Sequence, residues 1–267
     1  MASFYAYDFM YDDIPSQRFD LKIITFEDGG LFSGVGSSDV NILSQRVLRK
    51  AKPYYLGRTQ EPVLEFPLTF GRAEPVSALD RDLISAWLFG RASYKKLYIM
   101  QDDMNGAYFN CMLKEPEPQY IGNMNYAFTC SISCDSPFAY GPQKTITGSL
   151  SNEYKAIEIY NSSSEEEYLY PTVHFVISGG AYLSYYMTNY TDNERITSFV
   201  DIPATSEIEM TVDNDFQMIT SDTTGLLTYF NNNWFRLLPK YNLVTLYSPQ
   251  TVSLFEIKYT ERFKIGG

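Results

Sequence analysis

Tyr126-Ala-Phe-Thr-Cys-Ser-Ile-Ser-Cys-Asp-Ser-Pro-Phe-Ala-Tyr140 is the stretch on which the fold turns. Tyr126, Phe128, Cys130, Ile132 and Cys134 fall on one side of an extended chain, and Ala127, Thr129, Ser131 and Ser133 on the other. A period of two with one apolar and one small polar face predicts a strand lying on a core. Immediately upstream, Lys96–Met100 and Ala107–Leu113 read as strands around the turn Asp102-Asp-Met-Asn-Gly106, where Asn105-Gly106 is a hairpin signal. Gln119–Ile121 and the turn Gly122-Asn123 complete a meander. Before the meander, Pro75 to Phe89 predicts a helix. Ser77 can cap it, Asp80 suits its first turn, Leu79, Leu83, Ala86 and Trp87 recur at helical spacing, and Gly90 ends it.

Further toward the N-terminus, Phe4 to Phe9, Phe19 to Phe26 and Val63 to Phe70 alternate as strands, divided by Tyr11-Asp-Asp-Ile-Pro15 and Asp28-Gly-Gly30. Pro67 puts the last of them at an edge or a bulge. Residues 31–60 have weak periodicity, with Gly34, Gly36 and the basic run Arg46-Val-Leu-Arg-Lys50, which predicts an arm or extended loop. Near Gly141-Pro142 the character changes. From Ile146 onward no helix is expected, and about nine short strands follow. They include Ala156–Tyr160, Thr172–Ile177, Ile196–Val200, Glu207–Val212, Leu226–Phe230, Leu243–Tyr247 and Val252–Tyr259. Gly179-Gly180, Asp213-Asn214 and Ser248-Pro249 read as the turns between them. This spacing predicts a β-sandwich. The expected class is therefore mainly β, in two domains of 1–142 and 143–267.

Composition agrees with sheets: 16% of the 267 residues are aromatic, including 23 Tyr and 18 Phe. A tyrosine-rich surface also suits protein interfaces. The formal net charge of -11 argues against non-specific nucleic-acid binding, though it is compatible with a conduit that repels DNA. Three cysteines, Cys111, Cys130 and Cys134, make no disulfide framework and read as buried thiols. The start Met1-Ala-Ser-Phe-Tyr-Ala-Tyr-Asp8 lacks the pattern of a signal peptide, and no apolar run is long enough for a membrane span, so no membrane insertion is expected.

No motif predicts catalysis. The single histidine, His174, sits inside an alternating strand, and a nucleophilic triad needs a base placed otherwise. No zinc spacing occurs, and Gly34-Val-Gly36 lacks the continuation of a phosphate loop. Asp12-Asp13, Asp102-Asp103 and Asp213-Asn-Asp215 read as acidic turns, the last without the remainder of a calcium loop. Ser162-Ser-Ser-Glu-Glu-Glu167 reads as a solvated loop. No catalytic, cofactor or metal residue is expected. Asn231, Asn233 and Trp234 could stack on and hydrogen-bond a sugar, or form a polar turn before a core strand.

The helix with Trp87, the hairpin and the ending Phe128 to Tyr140 resemble the first domain of siphophage distal tail (Dit) proteins. Tyr170-Pro-Thr-Val-His-Phe175, Glu207-Ile-Glu-Met-Thr-Val-Asp213, Thr228-Tyr-Phe-Asn231 and Phe235-Arg-Leu-Leu-Pro-Lys-Tyr-Asn-Leu243 resemble that family's C-terminal domain. There the last stretch often carries a glycine where this chain has Lys240-Tyr241. The resemblance implies a tail-tube-like first domain with one helix and a galectin-like sandwich after it. It implies a structural protein of the virion tail tip, made in the host cytoplasm. Its partners would be itself as a homohexamer ring, the major tail tube protein, the tail-associated hub and receptor-binding proteins, with genomic DNA passing through unbound. In that setting Arg46, Arg49, Lys50, Tyr54 and Tyr55 form an arm to a neighbouring subunit. The alternative is a carbohydrate-binding or receptor-binding module acting through the C-terminal sandwich.

Overall fold

A computed structural model describes residues 8–24, 40–46, 50–60, 63–100, 104, 106–164, 166–203 and 206–264. Part of the first N-terminal run, Asp28-Gly-Gly30, the Gly34/Gly36 segment, Arg49 and most of the Asp102–Asn105 turn lie outside the described residues. The chain is mainly β. It divides into two compact units, one ending at Gly141 and joined by Phe263 onward, the other Pro142–Arg262. Phe263 packs on the first unit's core, whereas the expectation drew all of 143–267 into the second.

The first unit contains β1 (Phe9–Tyr11), β2 (Ile14–Pro15), β3 (Lys22–Ile23), β4 (Val40–Gln45), β5 (Tyr54–Gln60), β6 (Glu65–Gly71), α1 (Ala78–Leu88), β7 (Lys95–Ile99), β8 (Tyr108–Ile121) and β9 (Met124–Cys134). The strand β10 (Ala139–Asn161) begins in it. The strands pair antiparallel in the order β2-β1-β7-β8-β9-β6-β3. Asp12 and Asp13, both at positive φ, form the two-residue turn between β1 and β2, as a hairpin of primed geometry requires.

The anticipated face of β9 is buried: Phe128, Cys130, Ile132 and Cys134 join Phe66, Phe70, Leu97 and Phe109 in one cluster. All three cysteines are free and buried, and desolvation pushes the Cys130 and Cys134 thiols up to about 12. Ser77 caps α1 as expected, its Oγ accepting from the Asp80 N–H at 3.1 Å. The helix buries Ile84, Trp87 and Leu88, however, and leaves Leu79 and Leu83 exposed. Trp87 stacks between Phe9 and Phe19 and donates its Nε1–H to the Tyr11 carbonyl at 2.9 Å.

Two strand expectations merge in β8, which runs unbroken from Tyr108 to Ile121 through a bulge at Glu115, a residue with φ of 55°. Beyond Lys114 it pairs with β9 alone, so its outer edge has no strand partner among the described residues. Pro116 and Pro118 lie along this stretch, where a missing N–H is tolerated. The tip presents Tyr120, Ile121 and Met124 to solvent.

The second unit contains the rest of β10, then β11 (Thr172–Ser178), β12 (Tyr182–Asn189), β13 (Arg195–Pro203), β14 (Ile208–Asp213), β15 (Met218–Ser221) and β16 (Lys240–Phe263). β16 serves both layers of this sandwich. Val244–Tyr247 pair with β12, which pairs in turn with β13, while Thr251–Lys258 pair with β11 in the order β15-β14-β11-β16-β10. Ser248-Pro249 is therefore a crossing point inside one strand and not a turn between two. There the Ser248 Oγ donates to the Ser184 carbonyl and accepts from the Gln250 N–H. Gly141-Pro142 likewise lies within β10. The Lys155 Nζ reaches the Ser149 carbonyl six residues back, so this long strand doubles back near Asn152, where φ is 46°. Leu226–Tyr229, expected as a strand, is a single 3-10 turn entered through Gly225 at φ 76°.

The core between the layers holds Phe175, Phe199, Phe235, Leu246 and Phe255. The segment Phe235–Lys240 is stitched down by four buried asparagines. Asn214 Oδ1 accepts from the Phe235 N–H, Asn189 Nδ2 donates to the Arg236 carbonyl, and Asn161 Nδ2 donates to the Leu238 carbonyl. Asn242 both accepts from the Leu238 N–H and donates to its carbonyl. Lys240 ends this segment at φ 72°, so lysine, in the place the resemblance gives to glycine, sits in the left-handed region. Lys240→Gly is accordingly expected to raise stability by about 1 kcal/mol, read as a higher denaturant midpoint, because a side chain pays that much in the left-handed region.

Glu261 is a buried carboxylate of this unit. Burial alone would raise its pKa, but hydrogen bonds from Lys144 Nζ (2.7 Å) and the Ser162 N–H (2.8 Å), with the lysine's charge, hold it below the ordinary carboxylate range. A depressed folded pKa stabilises the fold at every pH above the unfolded value, about 4.3, and that contribution disappears as pH falls through the folded one. Urea midpoints measured between pH 6 and pH 3 should therefore fall less steeply for Glu261→Gln than for the natural chain.

Candidate assembly interface

β4 and β5 form a two-stranded antiparallel ribbon separate from the main sheet. Its register shifts between Leu43 and Ser44, opposite Gly57, whose φ of 140° is open only to glycine. Both faces of the ribbon are exposed. Ile42 is 70% accessible and its neighbour Leu43 48%, while consecutive Tyr54, Tyr55 and Leu56 are at 50%, 67% and 63%. A ribbon that buries neither face shows no alternation, which is why its two strands do not stand out in the sequence. Isolated two-stranded ribbons are marginal in water, so apolar groups on both faces call for a covering surface.

Of the five residues assigned to the arm, four are described and one, Arg49, is not. Arg46 is exposed at the end of β4. Lys50 donates to the Tyr54 hydroxyl at 2.7 Å and lies 5.2 Å from the centre of its ring. Tyr55, the next residue along β5, is exposed. With Lys52, the described residues of the ribbon carry cations and no carboxylate.

The three residues assigned to sugar contact are brought together in one loop of the second unit. Asn231 Oδ1 accepts from the Ser198 and Asn233 N–H groups, and its Nδ2 donates to the Ile196 carbonyl. Its carboxamide thus extends the edge of β13. Trp234 packs edge-on against Phe230, and its carbonyl accepts from Arg195 Nε. Asn233 borders a cleft of about 430 Å³ with Asp192, Asn193, Glu194, Arg195, Ile196 and Arg236. Within it Arg236 and Asp192 occupy each other, Nε to Oδ2 at 2.7 Å and Nη2 to Oδ1 at 3.1 Å, with the guanidinium 3.7 Å from the centre of the Tyr168 ring.

A cleft of about 850 Å³ in the first unit is lined by Asp20, Lys22, Arg72, Glu74 and Asp80 among others. Arg72 is committed there to Asp80 and to the Glu74 and Pro75 carbonyls. Among the described residues no group of three His, Cys, Asp or Glu could hold a metal ion, and no helix is long and apolar enough to cross a membrane. His174 meets Glu209 at 3.0 Å on the outer side of β11.

Family models for a phage tail protein N-terminal domain and a phage tail C-terminal domain match residues 4–136 and 138–256. The chain belongs to this family of phage tail proteins. Among solved structures, it is similar to the Dit protein of phage SPP1, described as a paradigm of the hub adsorption apparatus in phages infecting Gram-positive bacteria. The TM-score is 0.66 at 15% identity, over 96% of this chain and 99% of that one. It is also similar to a chain of the phage P2 baseplate in its activated conformation with calcium, with a TM-score of 0.52 at 11% identity over 98% of both chains. A P2 baseplate chain from the strontium form matches with a TM-score of 0.50 at 10% identity, over 96% and 97%. No curated protein matches by sequence. The two-unit phage tail protein is therefore a structural component of the tail, with a Dit-like fold over nearly its whole length.

Proposed function

We propose that six copies of this phage tail protein close into a ring at the tail tip, between the tail tube and the tail-associated hub. The first unit builds the ring and lines its channel. Genomic DNA passes through without specific binding, which the net charge of -11 favours. The second unit is a galectin-like mount for receptor-binding proteins. The role is mechanical and non-catalytic, and assembly takes place in the host cytoplasm. The observation that carries this reading is the β4–β5 ribbon, apolar on both faces and uncovered within its own subunit. A ring whose repeating contact joins two different surfaces supplies such a cover six times over. The likeness in fold to SPP1 Dit, described as part of a hub adsorption apparatus, supports a place at the tail tip.

Light scattering on the purified full chain tests it. Six chains of 30.6 kDa give a particle of about 184 kDa if the head-to-tail contact closes at six, and negative-stain images of that peak should show rings. A strict monomer at high concentration that binds a wall glycan would replace the ring with the carbohydrate-binding reading.

A further inference from the structure

The first unit carries a second uncovered patch, and its chemistry is the complement of the ribbon's. The distal β8–β9 hairpin, residues 115–124, exposes Tyr120, Ile121 and Met124 and carries Glu115 and Glu117 with no cation. Lys114, at its base, is already paired with Glu65 at 3.0 Å. The ribbon exposes Ile42, Leu43, Tyr54, Tyr55 and Leu56 and carries Arg46, Lys50 and Lys52 with no carboxylate among its described residues. In a chain of net charge -11, so local a cluster of cations with no acid among them is a strong bias. The ribbon is a two-stranded sheet of its own, and the β8 segment from Glu117 to Gln119 is, among the described residues, an open edge backed by β9; ribbon and hairpin both carry apolar side chains exposed to water.

Resting on the ring reading above, we infer that the basic β4–β5 ribbon of one subunit docks against the acidic distal β8–β9 hairpin of the next copy. The contact joins two different patches, as a closing head-to-tail ring requires. Tyr54, Tyr55 and Ile42 supply rigid apolar area against Tyr120, Ile121 and Met124, while Lys50 and Lys52 face Glu115 and Glu117 at the rim. Strand addition along β8 is not the mode of contact. Pro116 and Pro118 remove donors from its free edge, so side chains carry the docking.

The test uses the full chain and two charge reversals, Lys50→Glu with Lys52→Glu, and Glu115→Lys with Glu117→Lys. All four positions are exposed, and thermal unfolding of each variant checks that the fold survives. Each reversal alone should raise the concentration at half-assembly about tenfold, and the four changes together should restore most of it. In a second arm, Tyr55→Cys with Ile121→Cys in one chain should form intermolecular disulfides under oxidised glutathione and give a ladder of bands up to six chains. Tyr55→Cys with Leu79→Cys, on the exposed face of α1 and outside the proposed contact, should give none. Failure of the natural chain to assemble overturns the ring and this contact together. Assembly that ignores both reversals, or is broken by them without rescue and without the ladder, overturns the docking alone.

Discussion

Trp87→Ala is expected to lower the stability of the first unit by about 3–5 kcal/mol, the range for emptying an aromatic site in a packed core. The indole is 4% exposed, and it stacks between Phe9 and Phe19 with ring centres 5.8 and 5.1 Å away. Its loss removes the wedge between α1 and the β1 end of the sheet. It also leaves the Tyr11 carbonyl without the indole N–H, which adds about 1–3 kcal/mol where water cannot reach. Trp87→Phe keeps most of the apolar volume and should forfeit mainly the hydrogen bond. The readout is the urea midpoint followed by circular dichroism at fixed protein concentration. Trp234, the second of the two tryptophans, reports separately on the other unit by fluorescence. A Trp87→Ala midpoint equal to that of the natural chain would show that the helix is not held by its tryptophan.

Arg236→Ala should be comparably severe in the second unit, at about 3–5 kcal/mol, because it strands a carboxylate that has been taken out of water. Asp192 is buried, and its two oxygens are met by Nε and Nη2 of that one guanidinium. Alanine also removes the cation from the face of Tyr168. Arg236→Lys should recover only part of the loss, since a point charge cannot reproduce the fork or the stacking. The double variant Asp192→Leu with Arg236→Met should lose much less than the sum of its parts, since a buried ion pair is often worth little more than a well-packed apolar replacement. Calorimetric midpoints of the natural chain, Asp192→Leu, Arg236→Met and the double variant form the cycle. Additive losses would mean that the pair is not coupled and that Arg236 acts through its aliphatic stem.

The parts legible in the sequence are those whose physical cause is local. The alternation of β9, the Ser77 cap of α1 and the Gly122-Asn123 turn each announce themselves within a few residues. The long strands do not. Ser248-Pro249 and Gly141-Pro142 look like breaks, yet each falls where a strand changes partners and one missing N–H goes unused. Leu226–Tyr229 has the composition of a strand but follows a left-handed Gly225, which sets up a tight turn instead. Leu79 and Leu83 share helical spacing with Trp87, and only the sheet's position shows that the helix turns Ile84, Trp87 and Leu88 inward. The least legible features are Asn161, Asn189, Asn214 and Asn242. Their composition suggests turns and surface, but Asn161, Asn189 and Asn214 hold distant backbone groups and Asn242 meets the Asn189 side chain, and pattern cannot show that.

Pro116 and Pro118 bear on the life of the newly made chain. A tail protein is made in many copies in one crowded cell, and a bare strand edge is a template on which any passing extended chain can stack. An edge without donors at two alternate positions cannot seed that stacking, so newly made copies stay available in soluble form until the right surface arrives. Replacing both prolines with valine should leave the fold intact and turn a clear solution into one that scatters light and binds thioflavin on standing.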